Sequence, residues 1–77
     1  MIKQEFLQKL GQELGIPTEK LTDDAKLSSF AAWDSMGRVA VMGLLDTELG
    51  FAPPQGALQR CVTVGDLVAL VEDRFTG

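Results

Sequence analysis

A chain of 77 residues with one cysteine, Cys61, and no histidine has no disulfide and no Cys/His zinc site to hold it together. Its core must come from apolar side chains alone. A chain this short buries only about 60% of the surface its unfolded form exposes. That leaves room for a single domain over residues 1–77 with one small core. Rossmann sheets, β/α barrels and deep self-built clefts are out of reach. Without histidine, Ser-His-Asp and Cys-His catalytic pairs are also excluded. Small extracellular domains usually depend on several disulfides, so the expected compartment is the cytoplasm.

Apolar spacing predicts helices. Ile2, Phe6, Leu7, Leu10 and Leu14 recur at helical intervals between polar residues, and Gly15 with Pro17 stops the run. Residues 16–33 keep no period; Leu21, Leu27 and Phe30 read as pegs that pin a long loop to the core. A second helix opens at Asp34 or Ser35, either of which can cap it, and ends at Gly50. Val41, Leu45 and Leu49 form its core stripe with Met42 beside them. Phe51 to Gly56 is a connector, and Ala57 to Arg60 makes one short helical turn. Thr63-Val64-Gly65-Asp66 has a capping-box pattern, after which Leu67, Leu70, Val71 and Phe75 line one face of the last helix. No segment alternates like a strand. The expected fold class is all-α: three main helices, one short helix and a long first loop.

The balance of 7 Lys+Arg against 11 Asp+Glu leaves a net charge of −4, a poor match to nucleic acid or anionic membrane. The longest apolar run, Val39 to Leu45, is far short of the roughly 20 residues a membrane helix requires. Chemistry has few places to start. Asp23 and Asp24 lack the further oxygen ligands of a calcium loop and read as a solvated turn. Cys61 beside Arg60 reads as a small buried hydrophobe. No catalytic residue and no metal ligand set is expected, so the chain is not expected to be an enzyme.

Ser35 stands out. It follows Asp34 at the start of a helix, where partial positive charge and unpaired N–H groups accept a phosphate ester. No base accompanies it, so another enzyme would have to modify it. The plain alternative is an ordinary N-terminal helix serine in a small helical interaction module, with Ser35 unmodified.

Trp33-Asp34-Ser35-Met36 resembles the Asp-Ser-Leu/Met signature of acyl carrier proteins. The layout around it is similar too: Leu27-Ser28-Ser29-Phe30 before it, Glu48-Leu49-Gly50-Phe51 at the end of the second helix, and Thr63-Val64-Gly65-Asp66-Leu67 opening the last one. The resemblance spans the whole chain. It implies that Ser35 carries 4′-phosphopantetheine, transferred from coenzyme A by a phosphopantetheinyl transferase. The arm's thiol would then hold an acyl or aminoacyl group as a thioester. Asp34 matches the motif aspartate, as helix cap and transferase contact. The implied partners are acyl or aminoacyl ligases and synthases, met by a free-standing monomeric carrier. Met36, Val39, Ala40 and Gly43, next to Ser35, are the expected partner-binding residues. Trp33 replaces the glycine usual in fatty acid synthesis, and in the first half of helix two Gly37, Arg38, Ala40 and Gly43 occupy the exposed positions where that group carries glutamates. These departures point to a specialised lipid, polyketide or peptide-like pathway.

Overall fold

The computed structural model describes residues 1–54 and 56–75. Four helices follow in order: α1 (Lys3–Leu14), α2 (Ser35–Leu49), α3 (Ala57–Arg60) and α4 (Val64–Val71). Short 3₁₀ turns at Thr18–Lys20, Leu27–Ser29 and Glu72–Arg74 complete the chain, and no strand forms among the described residues. The expected all-α architecture is observed. Gln55 of the connector, with Thr76 and Gly77, lies outside the described residues.

Helix α1 buries Phe6, Leu7, Leu10 and Leu14. Ile2 does not join them; it precedes the helix and stays exposed. Gly15 ends the helix with φ 68, a left-handed conformation that lets its N–H donate to the Gly11 carbonyl. Helices α1 and α2 run antiparallel. Leu14, at the end of α1, packs at the start of α2 beside Gly37, and Lys9 Nζ lies 3.3 Å from Glu48 Oε1 near the end of α2.

The long loop is anchored rather than free. Leu21 and Leu27 are buried as pegs and Phe30 is half-buried. Its backbone pairs with the approach to α4: the Leu27 N–H donates to the Val62 carbonyl, the Val64 N–H to Ala25 and the Gly65 N–H to Asp23, each at 2.9 Å. The Asp pair belongs to a turn, as expected. Asp23 binds Lys3 at 3.1 Å, and Asp24 accepts from the Thr22 hydroxyl at 2.8 Å.

The core differs from the expected stripes at both later helices. On α2 only Val41 and Leu45 are buried; Leu49 is half-buried and Met42 is exposed. On α4 the buried set is Val64, Leu67, Val68 and Val71, the i, i+3, i+4, i+7 face of a helix. Leu70 is half-buried, and Phe75 lies past the end of α4, because the Glu72–Arg74 turn breaks the helical register. Its ring still reaches the core, 5.6 Å from that of Phe6. The capping box at Thr63 is present: its hydroxyl accepts the Asp66 N–H at 3.1 Å, and the Asp66 carboxylate accepts the Thr63 N–H at 3.1 Å.

Candidate functional site

The start of α2 is built by the loop that precedes it. The Trp33 N–H donates to the Phe30 carbonyl and the Asp34 N–H to the Ala32 carbonyl, each at 3.0 Å, so the chain turns tightly just before the helix. Trp33 is half-buried against the core and acts as loop packing. Gly37 allows the approach: a Cβ there would overlap the Ala32 carbonyl oxygen. Gly37 is therefore packed under the loop and not at an open position as the resemblance implied.

Asp34 is the cap. Its Oδ1 accepts the Gly37 N–H at 2.8 Å, and its carbonyl accepts the Arg38 N–H at 2.9 Å. The amides of Ser35 and Met36 remain without an acceptor inside the helix, as the first turn of any α-helix requires. Ser35 is the first helical residue, is exposed, and its hydroxyl makes no hydrogen bond among the described residues. An unengaged hydroxyl beside free N–H groups is open to another enzyme and favourable for a phosphate ester.

Met36 and Val39 are 82% and 67% exposed, so neither belongs to the core. Gly43 is exposed and Ala40 half-buried; both line a shallow groove of about 350 Å³ between α1 and α2, with Glu13 and Leu44. Met42 was missed from this surface. It is 45% exposed and stands seven residues after Ser35, on the same helical face. That interval from Ser35 was the available signal. Glu48 is held by Lys9 and is not a free acidic contact.

Arg38, expected at an open position, is half-buried, with Nε closed to solvent and without a hydrogen-bond acceptor. No carboxylate lies within ion-pair distance of it among the described residues. Cys61 is half-buried, and its Sγ–H donates to the Ala57 carbonyl at 3.5 Å. Burial and then the Asp66 carboxylate push its thiol pKa up, against the smaller opposing pull of Arg60. It is therefore a poor thiolate nucleophile at neutral pH.

The small helical scaffold thus presents an unengaged serine at a capped helix start, with an apolar strip running away from it. The chain matches the phosphopantetheine attachment site family over residues 4–71 and belongs to the acyl carrier proteins of that family. It is 35% identical over 66 residues to an acyl carrier protein of Saccharopolyspora erythraea, covering 86% of this chain and 70% of that one. An acyl carrier protein of Shigella dysenteriae is 26% identical over 73 residues, covering 95% of this chain and 94% of its own. One of Thermotoga maritima is 28% identical over 66 residues, covering 86% and 82%. Such proteins are carriers whose cofactor is covalently held 4′-phosphopantetheine. The site fits that group, since the Ser35 hydroxyl is exposed and the neighbouring first-turn amides are free. Among the described residues, no helix is long and apolar enough to cross a membrane.

Proposed function

We propose that Ser35 is the attachment point and that residues 1–77 act as one monomeric carrier unit in the cytoplasm. The unit serves acyl or aminoacyl ligases and synthases of a specialised lipid, polyketide or peptide-like pathway. The observation that carries this reading is the exposed, unbonded Ser35 hydroxyl at the Asp34-capped start of α2. In loading, the Ser35 oxygen bonds to the pantetheine-side phosphorus of coenzyme A's pyrophosphate, and the bond from that phosphorus to the nucleotide half breaks. The hydroxyl proton leaves to a base of the transferase; this chain has no histidine, and Asp34 Oδ1 accepts the Gly37 N–H. Once attached, the arm supplies a thiol that forms the cargo thioester.

The chain's own residues hold and present that arm. Asp34 fixes the first turn, and Met36, Val39, Ala40 and Gly43 offer partners a small, apolar contact, extended by Met42. A cleft of about 370 Å³ lined by Leu14, Ile16, Phe30 and Ala32 adjoins the same end of α2 and can shelter part of an apolar cargo. The test is intact mass after incubation with coenzyme A and a phosphopantetheinyl transferase of broad specificity. Wild type should gain one arm; Ser35→Ala should gain none while keeping its helical circular dichroism. No gain in wild type with several active transferases would refute the reading and leave a helical interaction module in its place.

A further inference from the structure

Arg38 is the only basic residue of α2, and it breaks two ordinary rules. It sits in the opening turns of the helix, where the macrodipole and the unpaired N–H groups disfavour a cation. Its Nε is shut away from water with nothing to donate to, an arrangement that carries a desolvation cost. The obvious acceptor is Asp34, one turn back, but that carboxylate accepts the Gly37 N–H and forms no ion pair with Arg38. Among the described residues, Lys20, Lys26 and Arg60 also form no ion pair, but Arg38 alone has a side-chain nitrogen closed to solvent without a hydrogen-bond partner. Arg38 is a charge in want of an anion.

It also stands three residues after Ser35. Side chains at that interval lie on one helix face, with Cβ atoms about 5–6 Å apart. A phosphodiester on the Ser35 oxygen would fall well inside the reach of an arginine side chain. A planar guanidinium suits two phosphate oxygens, and such charge-assisted bonds are the stronger kind. We propose that Arg38 is the counter-ion of the phosphate carried by Ser35: on loading it leaves its half-buried pose, in which Nε has no acceptor, and pairs with the phosphodiester, fixing the first segment of the arm against α2. This rests on the reading of Ser35 as the attachment point. It adds a residue that touches the cofactor and that determines the direction in which the arm leaves the helix.

The experiment compares apo and loaded protein, with loading first verified by intact mass. Wild type, Arg38→Gln and Arg38→Lys are each checked for helical circular dichroism. Two quantities are read: the difference in thermal midpoint between loaded and apo forms, and the Arg38 Nε–H resonance in a nitrogen–proton spectrum. The wild-type midpoint should rise on loading by roughly 2–5 °C, the size expected for a partly exposed charge-assisted contact in so small a domain. That rise should vanish in Arg38→Gln, persist in part in Arg38→Lys, and shrink with salt. The Nε–H resonance of wild type should move on loading. If loading is complete yet the rise is the same in wild type and Arg38→Gln, or the resonance stays in place, the Arg38 assignment is overturned and Ser35 attachment stands. If no arm is gained at all, both fall.

Discussion

Two glycines on α2 set up a matched pair of substitutions with opposite expected signs. At Gly43 a methyl group would meet nothing within 4 Å. Alanine is the better helix former by about 0.8–1 kcal/mol, and no packing cost opposes that gain. Gly43→Ala should therefore raise stability by about 1 kcal/mol, or about 4–8 °C in thermal midpoint for a domain of this size. At Gly37 the same methyl would overlap the Ala32 carbonyl oxygen and lie 3.4 Å from Leu14 Cδ2. The carbonyl belongs to backbone, so the loop itself must retreat. Overpacking of this kind costs about 1–3 kcal/mol. The retreat also strains the bond that the Ala32 carbonyl accepts from the Asp34 N–H at 3.0 Å, worth about 0.5–1.5 kcal/mol. Even after the same propensity gain, Gly37→Ala should lose about 1–3 kcal/mol. The assay is thermal and urea unfolding followed by circular dichroism on both variants. A Gly37→Ala midpoint equal to or above wild type would refute the close approach of loop and helix on which the placement of Ser35 rests.

Leu45 is fully buried, and its truncation to alanine should cost about 2–5 kcal/mol from a core that rarely supplies more than about 3–5 kcal/mol. Leu45→Ala should be largely unfolded or molten near 37 °C by circular dichroism; an unchanged midpoint would refute the assignment of the α2 core face. Gly43→Glu places an unpaired charge in the proposed docking surface, so loading by the native ligase or synthase should fall, while wild-type loading should change little across a salt series. Steep salt dependence with indifference to Gly43→Glu would move the docking surface elsewhere. The N–H groups of Val62 and Thr63 bond the Asp66 carboxylate and hold its pKa below the usual value. A depressed folded pKa stabilises above the unfolded value of about 3.9 and loses that effect as pH falls through the folded one. The midpoint gap between wild type and Asp66→Asn should thus be constant above about pH 5 and close below about pH 4; a gap that persists in acid would exclude this role for Asp66.

Local signals carried the sequence reading furthest where one short segment decides its own conformation. Gly15 and Gly50 stop their helices in left-handed turns, and Asp34 and Thr63 cap theirs, because each acts on amides or carbonyls within a few residues. The failures lie where a neighbouring element decides. Met42 and Val41 are adjacent apolar residues, yet only Val41 is buried, because α1 packs on one side of α2 and the shared core takes Val41 while Met42 faces solvent. Phe75 keeps the spacing of a helical residue but lies past the end of α4, where it meets the Phe6 ring from the far end of the chain.

The sequence alone determined an all-helical chain with a serine at a capped helix start, since propensity, capping and glycine stops act through the nearest few residues. Only the tertiary structure decided that Gly37 lies under the Ala32 carbonyl, that Arg38 Nε is left without an acceptor, and that Met42 stays on the surface. Those facts depend on where the long loop and α1 settle across α2. That placement follows from burying Leu14, Leu21 and Leu27 in one shared core, a choice made by side chains distant in sequence.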